Sequence, residues 1–275
     1  LVKQLLEGDA DSSHVALVAL ARRLGAMHAS AMGKDAQSRA IRHNLSPEWV
    51  ANGIKSPEAQ QEAREKQASN FADSCRGLGI EVDEAAQQEL LAALLRVDEP
   101  GPFLTFLHCD PCPDNDFYQD GELRLIDFEF SAFGHALRDG IYGRLPFPTC
   151  WCANTVPAAT VREMEDAYRL ELADVCPEIR EDERFLEEAT AVAASWTIGT
   201  VQWHLKEALE EDRTWGIAGT RARIFTRITM LLDTARSADQ MPALCSVLEK
   251  ALTELQSRWP EATPLPLYPA FRSDI

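Results

Sequence analysis

His108-Cys109-Asp110-Pro111-Cys112-Pro113-Asp114-Asn115, followed by Leu125-Ile126-Asp127-Phe128-Glu129, is the stretch on which the reading of this chain turns. Just before it lies Phe103-Leu104-Thr105-Phe106-Leu107, a short apolar and partly aromatic run that suits a buried strand. Between the two polar segments, Asp116-Phe117-Tyr118 and Leu123-Arg124-Leu125-Ile126 flank Gln119-Asp120-Gly121-Glu122. The Asp-Gly pair predicts a hairpin. A small β patch is therefore expected in mid-chain, with carboxylates and an amide at the ends of its strands.

Those residue types suit phosphoryl transfer, which asks little covalent chemistry of a protein. The acceptor hydroxyl must be oriented and its proton received, and divalent ions must bridge the phosphates. Asp110, leaving an apolar strand, can take the first task. Asn115 and Asp127, from neighbouring loops, offer the hard oxygen ligands that Mg²⁺ prefers. The plain alternative makes Asp110 and Asp127 turn residues and Asn115 a cap.

Outward from this patch the pattern is helical. Ser12 and Ser13 are candidate caps for a helix carrying Leu17, Leu20, Leu24 and Met27, with Gly33 as its stop. Ser56-Pro57-Glu58 opens a second helix that Gly77 ends, and Asp83 begins a third. Further helices are predicted over 160–175, 182–209, 220–235 and 242–259. Residues 33–56 are polar and weakly patterned and read as a mobile loop. Residues 260–275, with Pro260, Pro264, Pro266 and Pro269, read as an extended tail.

The motif resembles that of the aminoglycoside phosphotransferase and choline kinase superfamily, relatives of the protein kinases. The family's His-x-Asp-x-x-x-x-Asn is matched by His108, Asp110 and Asn115, and its Ile-Asp-[Phe/Trp] by Ile126, Asp127 and Phe128. The resemblance implies that Asp110 is the catalytic base, that Asn115 and Asp127 hold Mg²⁺, and that Glu129 lies near the metal. Arg138-Asp139-Gly140 looks like the family segment whose Asp braces the catalytic loop, so Asp139 and His108 are expected to support that loop. Ala19-Leu20-Ala21-Arg22-Arg23-Leu24-Gly25-Ala26-Met27-His28 resembles the helix after the family's hinge.

By that resemblance the fold is mainly α with a small central β-hairpin, a protein-kinase-like C-terminal lobe over residues 1–275. Residues 1–100 would be the helices following the hinge and 101–130 the catalytic and metal-binding loops. Residues 131–259 would form a helical acceptor-binding subdomain, and 260–275 the Pro-rich tail. The family's nucleotide-clamping N-terminal lobe has no counterpart here: the residues before Phe103 hold no Gly-x-Gly-x-x-Gly and no Val-Ala-Ile-Lys-like strand. The chain starts at Leu1 without an initiator Met, and the expectation is either a fragment of a longer kinase or a lobe lost. The activity implied is ATP- and Mg²⁺-dependent phosphorylation of a small-molecule hydroxyl. The competing reading is a non-catalytic kinase-like binding or regulatory module.

Bulk properties narrow the partners. A net charge of −17 disfavours nucleic acid and anionic lipid surfaces. No run is long and apolar enough to span a bilayer, and no signal peptide is visible. The seven cysteines, an odd number, point to free thiols in a reducing, cytoplasmic setting. Cys109, Cys112, Cys150 and Cys152 could instead bind zinc, though ordinary thiols fit the spacing better. Trp151, Trp196 and Trp203 fall where the resembled family builds its acceptor pocket, as does Trp215. Acidity and resemblance together point to a cationic acceptor, such as an aminoglycoside, choline or another amino alcohol, held by aromatic faces. Glu207, Glu210, Glu211 and Asp212 could add attraction, or simply form a solvated helix end. Trp196 and Trp203, seven apart on one helix, read more simply as core packing. No sequence pattern sets an oligomeric state.

Overall fold

Side-chain caps open three of the first five helices. The computed structural model describes residues 1–45, 56–119 and 121–272. Its first helices are α1 (Val2–Glu7), α2 (Ala10–Ala31), α3 (Asp35–Leu45), α4 (Pro57–Gly77) and α5 (Glu84–Asp98). Ser56 and Asp83 cap α4 and α5 through their side chains, as expected, accepting from Ala59 N–H and Ala86 N–H. At α2 the cap is Asp9 rather than Ser12 or Ser13; its carboxylate accepts the Ser12 N–H at 2.9 Å. Residues 35–45 are helical, which corrects the loop expected over 33–56; the part over 46–55 lies outside the described residues.

Strands β1 (Leu104–Leu107), β2 (Asp116–Gln119), β3 (Glu122–Leu125) and β4 (Ala132–His135) follow. β2 and β3 pair as the expected hairpin, with Asp116 opposite Leu125; Asp120 itself lies outside the described residues. β1 pairs with β4, antiparallel, Leu104 opposite His135. The sequence reading missed β4, because Ala-Phe-Gly-His shows no alternation and carries a strand-weakening glycine.

The rest is helical: α6 (Leu137–Gly140), α7 (Ala158–Leu172), α8 (Asp182–Glu210), then the two-residue strands β5 (Thr214–Trp215) and β6 (Ala218–Gly219), α9 (Thr220–Ser237) and α10 (Pro242–Arg258). The tail is extended, with Thr155 bridging Leu267, but a 3₁₀ turn over Pro269–Phe271 closes it and Tyr268 is buried. Among the described residues no helix is long and apolar enough to cross a membrane.

α2 lies against α7, with Leu17, Leu20 and Leu24 buried. Each such leucine is worth about 2 kcal/mol when fully withdrawn from water. Gly25 permits the approach, since a Cβ there would stand 2.8 Å from the Tyr168 carbonyl oxygen. α8 is the hub, packing on α4, α5 and α9. Its buried alanines at 189, 191, 193 and 194 let those helices come close. Glu188 ties α8 to the sheet: it accepts from His135 at 2.9 Å and pairs with Arg96 and Arg184.

Candidate active site

The loop after β1 is held through its backbone. Asp139, buried on α6, accepts the His108 N–H at 2.7 Å and the Cys109 N–H at 3.2 Å. Asp139 is itself positioned by His28, whose Nε2 lies 3.3 Å from it and whose Nδ1 meets the Tyr168 hydroxyl at 2.7 Å. The His108 ring faces the next loop. Its Nε2 lies 2.7 Å from the Ile126 carbonyl, while Nδ1 accepts the Asp110 N–H at 3.3 Å. Those two partners select the Nε2–H tautomer, because a carbonyl can only accept. Cys109 pays for the turn with a left-handed φ of 69°.

Asp110 and Asn115 meet directly. The Asn115 amide nitrogen donates to the Asp110 carboxylate and to its carbonyl, each at 3.0 Å. With the nitrogen so occupied, the amide oxygen is the end left for a cation. The Ile126 N–H donates to the Asn115 carbonyl at 3.0 Å, so both peptide groups of Ile126 are bound to the first loop. Asp127 is the next residue, exposed, at a left-handed φ of 63°. Glu129 is exposed two residues further along. Phe128 packs on His108 with ring centroids 4.6 Å apart.

The second oxygen face of Asp110 meets side chains that the sequence reading did not single out. Thr149 donates its hydroxyl to Oδ1, and the Tyr142 hydroxyl lies 3.3 Å from the same atom. Tyr142 is buried, and that burial pushes its phenol well above the usual range, so it stays a neutral donor. Neither residue lies near Asp110 in sequence, so no spacing signals them.

The cysteine expectation needs correction. Cys112, inside the loop after β1, is joined to Cys150 in a disulfide, with Cα atoms 5.6 Å apart. The bond removes two of the four thiols a zinc site would need. Cys75, Cys152, Cys176 and Cys245 are buried thiols. Burial pushes Cys75 and Cys152 up to about 12 and Cys176 up to about 11, so they stay protonated.

Thr149 also lines a cavity of about 560 Å³ walled by α8, α9 and β5. Trp196, Trp203 and Trp215 line it. Trp203 is 81% exposed, so the core-packing expectation for that residue fails: its position on α8 faces the cavity mouth. Trp151 is not part of the wall; its indole donates to Asp114 at 2.5 Å. Gly216 sits where a Cβ would collide with the Trp151 carbonyl, at a φ of 63° that favours glycine. The acids expected here are engaged elsewhere: Glu207 and Glu211 pair with Arg213, and Asp212 accepts the Arg221 N–H.

Arginines take their place. Arg223 donates to the carbonyls of Cys150, Trp151 and Trp215, and Arg227 to the Pro148 carbonyl and Thr200 hydroxyl. Burial lowers both guanidinium groups from their usual value, Arg227 to about 10, which leaves them cationic at neutral pH. The sequence held a signal: arginines four apart among Ile224, Phe225 and Ile228 place two charges on an apolar helix face.

Comparison with curated proteins gives no match. The family model described as a phosphotransferase enzyme family matches residues 3–168, more than half of the chain. Asp110, Asn115, Asp127 and Asp139 lie inside the matched segment, and α8 and α9 lie beyond it. A loop bearing an acid and an amide, braced by a buried acid, thus sits within a matched family segment, and the chain belongs to the phosphotransferase enzyme family.

Proposed function

We propose that the protein transfers the γ-phosphoryl group of ATP to a hydroxyl of a small molecule, and that residues 1–275 make up a kinase-like C-terminal lobe. The observation that carries this reading is the position of Asp110, with Asn115 on one carboxylate oxygen and Thr149, on the cavity wall, on the other. The donor set fits Mg²⁺: an amide oxygen from Asn115 and the exposed Asp127 carboxylate are hard ligands on adjoining loops, with Glu129 close along the chain. When bound, the metal would neutralise charge on the phosphates.

In the transfer, the acceptor oxygen forms a bond to the γ-phosphorus as the bond to the β–γ bridging oxygen breaks and ADP leaves. Asp110 receives the acceptor's proton. Asn115 orients the Asp110 carboxylate, and Asp139 and His108 hold the loop in register with Asp127. Replacing Asp110 by Ala in the protein as its gene encodes it should lower ATP-dependent phosphorylation by about 10²–10⁴-fold, the usual range for a general base. Unfolding midpoints should stay close to those of the parent. Undiminished transfer would defeat the assignment.

The described elements before Gly101 are all helical, which favours the second reading, a binding or regulatory module without turnover. Mass spectrometry of hydroxyl compounds incubated with ATP, Mg²⁺ and protein separates the two. A phosphorylated product supports the enzyme; ligand binding without product supports the module.

A further inference from the structure

The cavity beside Thr149 holds cations and hydrogen-bond donors in excess, and none of its wall residues is acidic. Arg64 is neutralised by Asp98. Arg138, Arg223 and Arg227 are not: among the described residues none of them forms an ion pair, and their recorded partners are carbonyls, a hydroxyl and indole rings. Arg223 and Arg227 are 6% and 4% exposed and sit one helical turn apart. Two like charges buried so closely are costly unless an anion joins them.

Unused donors point the same way. The Nε of Arg223 is buried without a hydrogen-bond partner, and so is the indole Nε1 of Trp196. Both residues line the cavity. Such groups are rarely left unpaired, and here both can only donate. Arg138 stacks over Trp196 at 4.9 Å and Arg223 over Trp215 at 4.8 Å. Trp196 and Trp215 thus each already carry one of the protein's own cations. His204, also on the wall, is lowered from its usual range by burial and by Arg227, so at neutral pH it adds no further positive charge.

We infer that the cavity binds an acceptor bearing an oxyanion, a carboxylate or a phosphate ester, with Arg138 and Arg223 as its cationic recognition groups. This rests on the phosphotransferase reading for its word acceptor, but its chemistry stands on the cavity alone. The inference replaces the cationic acceptor suggested by overall acidity: an amine would meet three uncompensated guanidinium groups. An oxyanion supplies the missing countercharge.

Four compounds on one benzyl alcohol frame test this without nucleotide: 3-(hydroxymethyl)benzoate, 3-(hydroxymethyl)phenyl phosphate, 3-(hydroxymethyl)benzamide and 3-(aminomethyl)benzyl alcohol. Binding to the full chain is read by quenching of tryptophan fluorescence and by calorimetry. One or both anions should bind about tenfold or more tighter than the amide, and the amine weakest, as charged hydrogen bonds predict. The tighter anion identifies the class. Arg138→Gln, at a half-buried position, should remove most of that preference by weakening the anions far more than the amide; Arg223→Gln should do the same wherever its unfolding midpoint shows it folded. Equal binding of anions and amide, tightest binding of the amine, or no binding of any of the four overturns the inference. Anion preference without later phosphorylation would sink the transfer reading alone, and phosphorylation of the amide or amine without anion preference would sink this one alone.

Discussion

Two regions meet at Thr149, and they are built in opposite ways. On one side, residues 108–139 form an acidic loop system fixed mainly through backbone groups: Asp139 takes two N–H groups, and Ile126 gives both its peptide groups to the loop after β1. On the other, α8 and α9 form a basic, aromatic cavity fixed through side chains, with Arg223 and Arg227 gripping carbonyls. The difference teaches that net charge is a poor guide to a site. A chain at −17 places uncompensated guanidinium groups at the cavity beside Thr149 because local pairing, rather than the sum over the surface, sets the field there.

Separating the two regions chemically should give the largest effect on stability. The disulfide from Cys112 to Cys150 spans 38 residues and joins the loop after β1 to the segment next to Thr149. Reducing it should cost about 4 kcal/mol of unfolding free energy, by loss of the constraint on the unfolded chain. Denaturant titrations with and without dithiothreitol check this. Anion binding should survive reduction, because Arg223 still holds the Cys150 carbonyl. Loss of binding would show that the cavity depends on the loop.

A smaller effect is expected at Glu188, which links β4, next to the loops, to α8, which carries the cavity. Burial alone would raise its carboxyl, but the His135 hydrogen bond and the charges of His135, Arg96 and Arg184 outweigh that and hold it below 4.5. A lowered folded value contributes stability that is fully present above the unfolded value and is lost as pH falls through the folded one. Glu188→Gln should therefore cost about 2 kcal/mol at neutral pH. The gap between variant and parent should narrow in acid; a gap independent of pH would remove the ion pair from the account.

The smallest effect is the sharpest test of assignment. Trp203→Ala should change stability by less than about 0.5 kcal/mol, as for exposed positions generally, yet weaken ligand binding and quench less fluorescence. A loss of several kcal/mol would return Trp203 to the core and shrink the cavity.

Much of the catalytic side could be read from residue order, because its parts are local. Asp110 and Asn115 are five apart, the hairpin is one Asp-Gly turn, and Ser56 and Asp83 announce their helices by capping. What escaped was non-local. β4 pairs with a strand far behind it and has no pattern of its own, and Cys150 finds Cys112 only across the fold. Thr149 and Tyr142 reach Asp110 in the same way.

Residue order alone determined the helical class, the loop that bears an acid and an amide at fixed separation, and through them the phosphotransferase family. Tertiary structure alone decided the sign of the cavity. Whether an arginine is neutralised depends on which carboxylate reaches it in space: Asp98 reaches Arg64, and none reaches Arg223 or Arg227 among the described residues. Charge pairing acts over a few ångströms through space, and distance along the chain does not encode it.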